Sequence, residues 1–286
     1  MSAVFVTGAT GTVGTAVVQH LLELGQPVVA GIHTPADAAR LPDGAQACAF
    51  SFGADRAAIE HALAGSDRLF LLRPPAIADV QATLFPVIDA ARRVGIRQIV
   101  FLSLQGVQAN RKTPHHAVET YLRETGAPCT FLRPNFFMQN LAITYAGQIR
   151  DRGEIFVPAG RSRTAFVDAR DVGKVAAVTL AQPGHLGKAY TLSGEQSLTY
   201  RQVAMIMSDV LGRAIHYRRP SEHAYLAQLA ADGAPADYIA VQKMIHKVVR
   251  LNVSAVPNRS IRRLTGTGAT RLRQFVADTR TTWDTP

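Results

Sequence analysis

The sequence predicts an α/β protein: a doubly wound parallel sheet followed by a smaller, mainly helical C-terminal region. Three observations carry this expectation. Val4-Phe5-Val6 runs without a spacer into Thr7-Gly8-Ala9-Thr10-Gly11-Thr12-Val13-Gly14, and Val13, Val17 and Leu21 then follow four residues apart. That is the pattern of strand, tight turn and amphipathic helix. Short apolar runs alternate with helical patterns as far as residue 150, the signature of a parallel sheet with crossover helices. One of those runs, Leu69–Leu72, is apolar throughout, as befits a strand covered on both faces.

Each glycine of the first turn has its own task. Gly8 permits a backbone conformation that a Cβ would obstruct, Gly11 lets a diphosphate approach the main chain, and Gly14 lets helix and strand pack closely. The helix N-terminus supplies unpaired N–H groups and about half a positive charge for that anion. Dinucleotide binding is the functional meaning of the turn; close packing alone is the bland one.

The first helix ends at Gly25, and Val28–Ile32 reads as strand two. An acid at the end of this strand would hold the ribose 2′-hydroxyl of NAD, and a basic residue the 2′-phosphate of NADP. The sequence His33-Thr34-Pro35-Ala36-Asp37 puts no carboxylate at the strand end. His33, Thr34 and Arg40 are the polar candidates, so NADP(H) is favoured over NAD(H). Ala47–Phe52 reads as strand three, followed by a helix through Ile59 and Leu63. Leu69–Leu72 ends in Arg73-Pro74-Pro75, a stiff loop at the carboxyl edge where ligands bind in such sheets. Val80, Leu84, Ile88 and Ala91 form one helical stripe, which Pro86 is expected to kink. Ile99–Leu102 delivers Ser103 to the same edge, and Thr113-Pro114 reads as the N-cap and first residue of a helix carrying His115, His116 and Glu119. Thr130–Leu132 is strand six, running into Arg133-Pro134.

Beyond residue 150 the pattern is less regular. Asp168 and Asp171 read as helix-start carboxylates, Thr199 to Gln202 as a capping box, and Trp283 as a packing anchor on the last helix. The expected division is a nucleotide-binding domain over 1–150, with 166–192 returning to it, and a smaller substrate region over 151–286 lying as a lid over the strand ends.

Composition bounds the remaining possibilities. A chain of 286 residues, 47% hydrophobic and 18% charged, is long enough for a proper core. No run is apolar over about 18 residues, and Met1-Ser2-Ala3 leads into a strand without a basic segment. Neither a membrane span nor a secretion signal is therefore expected. Cys48 and Cys129 read as inert thiols in a reducing cytoplasm. Net charge is +10: residues 1–150 hold 12 basic and 10 acidic side chains, residues 151–286 hold 19 and 11. The excess lies in the C-terminal region, as scattered pairs such as Arg218-Arg219 without aromatic interleaving, so nucleic acid is not the expected partner. No metal site is expected.

With these residues in hand, the chain resembles the NmrA-like branch of the atypical short-chain dehydrogenases/reductases. The resemblance rests on Thr7-Gly8-Ala9-Thr10-Gly11, on Leu69 to Pro75, and on Pro114-His115 ahead of Glu119. It also rests on Phe131 to Pro134 with Phe136-Phe137-Met138 and Asn140, on Val167-Asp168 with Asp171, and on the closing segment from Leu264 to Trp283. It implies a Rossmann domain with a small C-terminal domain and NAD(P) between them, in either a reductase of quinones and dyes or a cofactor-binding regulator. By position, Gly8, Thr10, Gly11, Thr12 and Val13 would hold the diphosphate, His33 and Thr34 the adenosine ribose, and Phe52 the adenine. Leu72, Arg73 and Pro74 would line the nicotinamide side. Ser51 stands where many relatives have an aspartate. Arg111 and His115 stand where the best-known members of the superfamily carry a catalytic Tyr-x-x-x-Lys pair, so the usual acid is missing.

Two side chains remain as catalytic candidates. Ser103 is placed to donate a hydrogen bond to charge developing on an acceptor, or merely to tie down a loop. His115, as an imidazole expected to titrate near neutrality, is placed to contact the cofactor or protonate product, or to pair with Glu119 one helical turn away. The expected function is NAD(P)H-dependent hydride transfer to a small quinone-like or unsaturated acceptor. The alternative is an NADP(H)-binding redox sensor with a protein partner and little turnover.

Overall fold

The computed structural model describes residues 2–284. The chain forms two compact units. The first comprises the chain up to Pro134 with Ala169–Leu192 and Ser260–Thr267; the second comprises Asn135–Asp168, Ser193–Arg259 and the chain from Gly268 onward.

Unit one is built on strands β1 (Ala3–Val6), β2 (Val28–Ile32), β3 (Gln46–Ala49), β4 (Ser66–Leu72), β5 (Gln98–Leu102) and β6 (Cys129–Pro134). A further strand, Ala189–Leu192, pairs with β6, giving a seven-stranded parallel sheet in the order β3-β2-β1-β4-β5-β6 and then this last strand. Strand order reverses between β1 and β4, the switch point at whose carboxyl edge ligands bind in open α/β sheets. The apolar runs are what the middle of such a sheet demands: Val4, Phe5, Val6, Leu69, Phe70 and Leu71 are completely buried.

Helix α1 (Thr12–Glu23) turns Val13, Ala16, Val17, Val18 and Leu21 into the core. It crosses the helix Ala169–Ala181 so closely that a Cβ at Gly173 would lie 2.5 Å from the Ala16 Cβ. Helix α2 (Arg56–Leu63) is capped by Asp55, which accepts from the Ala58 amide. Helix α3 (Val80–Arg93) is capped by Asp79 and continues past Pro86 in its interior. Helix α4 (Pro114–Glu124) begins at Thr113, whose hydroxyl accepts from the His116 amide.

Strands β3 to β6 all differ at one or both ends from the expected bounds, two of them for evident local reasons. Strand β3 stops at Ala49 because the chain folds back over Ser51: the Gly53 amide bonds the Ser51 hydroxyl and the Ala54 amide its carbonyl. The Phe50 amide still donates to the Ile32 carbonyl of β2 at 2.9 Å, and its ring packs edge-on against Phe5 and Phe52. Strand β6 extends through Arg133, whose charge is neutralised inside the protein, as described below.

Unit two has its own core, with Trp283, Tyr200, Phe275, Val203 and Met207 buried between the helices Tyr200–Leu211 and Leu272–Asp278. Thr199 and Gln202 form the expected capping box. Asp168 is fully buried and accepts from Gln139 Nε2 at 2.8 Å, a partner that sequence spacing did not suggest. Among the described residues, no helix is long and apolar enough to cross a membrane.

Candidate active site

The glycine turn between β1 and α1 is shaped by contacts that side chains would destroy. Gly8 has φ +60°, a left-handed conformation, and a Cβ there would meet the Leu72 methyls at 2.9 Å. A Cβ at Gly14 would lie 2.0 Å from the Gly8 carbonyl oxygen. Gly11 is different. Its φ of −87° and ψ of 169° suit any residue, and the one neighbour a Cβ would approach is the Gly8 oxygen at 3.3 Å. A Cβ at position 11 would press on that one oxygen and on no other non-neighbouring atom within 4 Å. The Gly11 amide itself is spent on the Gly8 carbonyl at 3.0 Å, so it braces the turn. The donors left open for an anion are the first-turn amides of α1, from Thr12, Val13 and Gly14, which an α-helix leaves without intrahelical partners. No side chain caps this helix and no carboxylate stands in its first turn. The residues present thus fit a diphosphate. Thr7 pins the turn to β4, its hydroxyl donating to the Phe70 carbonyl and accepting from the Leu72 amide, both at 3.0 Å.

At the end of β2, His33 and Thr34 are exposed. Asp37, three residues past Thr34, is fully engaged: it accepts from the Thr34 amide (3.0 Å), the Thr34 hydroxyl (2.9 Å) and Arg40 (3.2 Å). The Thr34 amide, then its hydroxyl, hold the Asp37 carboxyl below its ordinary range. Arg40 also donates to the Thr10 carbonyl at 3.0 Å, which brings a guanidinium to the rim of the glycine turn. A recess of about 260 Å³ opens beside His33, lined by Phe50, Ser51, Ala54 and Ala58. Phe52 is not part of that lining; it packs against Phe50 with ring centroids 5.1 Å apart.

The carboxyl ends of β4, β5 and β6 carry the remaining candidates. Leu72 pairs with Leu102 and Leu102 with Leu132, so Arg73, Ser103 and Arg133 follow at one level of the sheet edge. Arg133 is 7% exposed and reaches Glu119, 2% exposed, with Nε–Oε1 at 2.9 Å and a second bond from Nη2. Arg123 adds a bond at 2.6 Å. Burial pushes the Glu119 carboxyl up, but hydrogen bonds from Arg133 and Arg123, together with the nearby Ser103 hydroxyl, outweigh it and hold its pKa below the ordinary value. The Ser103 hydroxyl is buried and lies close to this carboxylate without forming a bond of good geometry, so it remains an uncommitted donor.

The expected His115–Glu119 pairing is not what forms, because arginines occupy the carboxylate. His115 instead lies beside Phe101, ring centroids 6.1 Å apart. Its burial first, and the nearby Arg73 charge second, lower its pKa to about 4. The expectation that His115 titrates near neutrality is thereby corrected: at physiological pH the ring is neutral and carries one N–H donor. Arg73 directs Nη1 at the carbonyls of Pro74 and Pro75, both 3.1 Å away, and of Ile77. Tyr121 is excluded as an acid, since it stacks on Phe85 at 3.8 Å and donates to Asp89. Sequence reasoning missed the Glu119–Arg133 pair. An arginine closing an otherwise apolar strand is the signal, because a buried guanidinium demands a carboxylate.

Fold and site together define a nucleotide-cofactor-binding α/β protein with a second, smaller unit. The NmrA-like family model matches residues 1–274, and the chain belongs to that family. It is 34% identical to an NAD(P)H azoreductase of Xenophilus azovorans over 75% of this chain and 76% of that one. It is 32% identical to a (4-alkanoyl-5-oxo-2,5-dihydrofuran-3-yl)methyl phosphate reductase of Streptomyces griseus, covering 96% and 97% of the two chains. Among solved structures, NADPH-dependent quinone oxidoreductase 2 of Escherichia coli in complex with NADPH superposes with a TM-score of 0.87 at 26% identity, covering 96% of this chain and 99% of that one.

Proposed function

We propose that this protein is an NADPH-dependent reductase that delivers hydride to a small quinone-like or otherwise unsaturated acceptor. The observation that carries the reading is the uncapped α1 N-terminus behind a turn in which Gly11 is the glycine whose Cβ position is least obstructed. Relatives named as NAD(P)H- and NADPH-dependent reductases support it.

In this reading the amides of Thr12 and Val13 hold the diphosphate, with Gly8, Thr10 and Gly11 giving the turn its shape. His33 and Thr34 lie on the adenosine ribose. Asp37, tied down by Thr34, is no acceptor for a free 2′-hydroxyl, and Arg40 at the rim supplies a cation for the 2′-phosphate. The adenine occupies the recess beside Phe50 and Ser51, with Phe52 supporting it from behind. Leu72 and the main chain of Arg73 and Pro74 line the nicotinamide side.

The reduced nicotinamide supplies the hydride when bound. Ser103 and His115 are the catalytic donors: each offers a neutral hydrogen bond to oxygen on the acceptor. Because His115 is not an imidazolium at physiological pH, the final proton on a hydroquinone product comes from water. Positioning and electrostatics suffice for such acceptors. The test is NADPH oxidation by the purified protein against a panel of quinones and azo dyes, followed by absorbance. Turnover with NADPH above that with NADH is expected; tight NADPH binding without turnover on any acceptor would overturn the reading in favour of a sensor.

A further inference from the structure

Three arginines of unit one are not exposed: Arg68, Arg73 and Arg133. Two of them have carboxylates. Arg68 bonds Asp67 at 2.9 Å, and Arg133 bonds Glu119. Arg73 makes no ion pair among the described residues. Its Nη1 is held by three main-chain carbonyls, and its Nε is buried without a partner. A guanidinium taken partly out of water without a counter-charge is costly, and proteins keep such a group where a negative charge arrives with a ligand or a reaction. The carbonyl clamp makes this cation rigid as well as unpaired, since the loop Arg73-Pro74-Pro75 has little freedom to release it.

Its place in the sheet says which charge. Leu72 and Leu102 are paired in register, so Arg73 and Ser103 leave neighbouring strands at the same level, and neighbouring strands are about 4.8 Å apart. Arg73 is also near enough to His115 to depress its basicity. A rigid cation, a buried free hydroxyl and a neutral imidazole therefore share one edge. Only the first can neutralise a full negative charge.

We propose that the Arg73 guanidinium is a catalytic group that stabilises the oxyanion formed on the acceptor as hydride arrives. This rests on the reductase reading above and deepens it. In the step, a C–H bond of the reduced cofactor breaks with its electron pair and a bond forms to the acceptor. A quinone thereby becomes a hydroquinone monoanion, and water later supplies one proton. Arg73 meets the anion; Ser103 and His115 donate to it. The acceptors favoured are those whose reduction places charge on oxygen, above those that end neutral without a proton.

The test uses 4-nitrophenol as a probe of the same charge, bound to the full-length protein in the presence of NADP⁺. Its phenolate is coloured, so the pKa of the bound phenol is read by absorbance. Arg73→Met and Arg73→Lys are compared with wild type, with thermal melts to confirm folding and calorimetric NADPH titration as an independent readout. The wild-type protein is expected to lower the probe's pKa, Arg73→Met to abolish the shift, and Arg73→Lys to keep part of it. Arg73→Met should also slow single-turnover hydride transfer to quinones about a hundredfold while NADPH affinity stays within threefold. The proposal is overturned if the probe does not bind, or if its pKa is the same in wild type and Arg73→Met. It is equally overturned if Arg73→Met weakens NADPH more than tenfold, for the cation then serves the cofactor. Absence of NADPH binding by the wild-type protein would instead strike at the reductase reading itself.

Discussion

Gly14→Ala adds one methyl to a helix and should nonetheless damage the protein. The new Cβ would lie 2.0 Å from the Gly8 carbonyl oxygen, 2.7 Å from the Gly8 carbonyl carbon and 3.0 Å from the Ala9 Cα. All three are backbone atoms, so no side chain can swing aside. Carbon and carbonyl oxygen settle at about 3.3 Å, so the turn must open by roughly 1.3 Å. Gly8 has little room to shift towards β4, because the Leu72 methyls lie 2.9 Å from where its Cβ would be. Overpacking of this kind costs about 1–3 kcal/mol, which lowers the melting temperature by roughly 2–4 °C per kcal/mol in a protein of this size. Calorimetric melts and NADPH titration read the two consequences separately. Both a lowered melting temperature and weakened NADPH binding are expected. Wild-type melting together with wild-type affinity would refute the reasoning.

The buried pair gives a second test. Glu119→Gln leaves Arg133 charged and unpaired in the interior and should cost about 3–5 kcal/mol in urea denaturation. The double variant Glu119→Gln, Arg133→Met should recover much of that, and failure to recover would show that packing, not charge, is lost. Acid sensitivity gives a third. His246 in unit two is fully buried, bonds Tyr145 at 3.3 Å, and is held neutral with a pKa lowered to about 4, by burial first and by Arg250 second. The unfolded histidine takes up a proton near its ordinary value, so stability is complete above pH 6.5 or so and is lost as pH falls towards 4. The loss from this residue reaches about 3 kcal/mol. His246→Phe should flatten the stability profile between those pH values; an unchanged slope would contradict the assignment.

Much of unit one could be read directly because its signals are local. Val4 to Gly14 combines an apolar run, glycines and a four-residue helical spacing, and each feature forms where the chain places it. Leu69–Leu72 is apolar on both faces because both faces are covered. What escaped was set by contacts distant in sequence. The strand Ala189–Leu192 is largely unburied and has no alternation; its pairing with β6 makes it a strand. Glu119 is one helical turn from His115, yet its carboxylate belongs to Arg133 on β6. The reversal of His115 from a group titrating near neutrality to a neutral donor follows from burial and from Arg73, 42 residues earlier in the chain. Neither could be seen from spacing alone. Arg40 was legible only as a basic residue; its hold on the Thr10 carbonyl appears once the chain has turned back past Asp37.

Diphosphate binding is tested most directly at position 11, where the main chain is relaxed and a Cβ would approach only the Gly8 oxygen, at 3.3 Å. Gly11→Val should fold, since its φ of −87° suits valine, with a modest drop in melting temperature because the new Cβ would lie 3.3 Å from the Gly8 oxygen and valine caps a helix less well than glycine. Isothermal titration calorimetry of this variant with NADPH is the deciding measurement. A loss of affinity of about a hundredfold or more in a variant that still folds cooperatively is predicted; affinity equal to wild type would mean that no diphosphate sits at the head of α1.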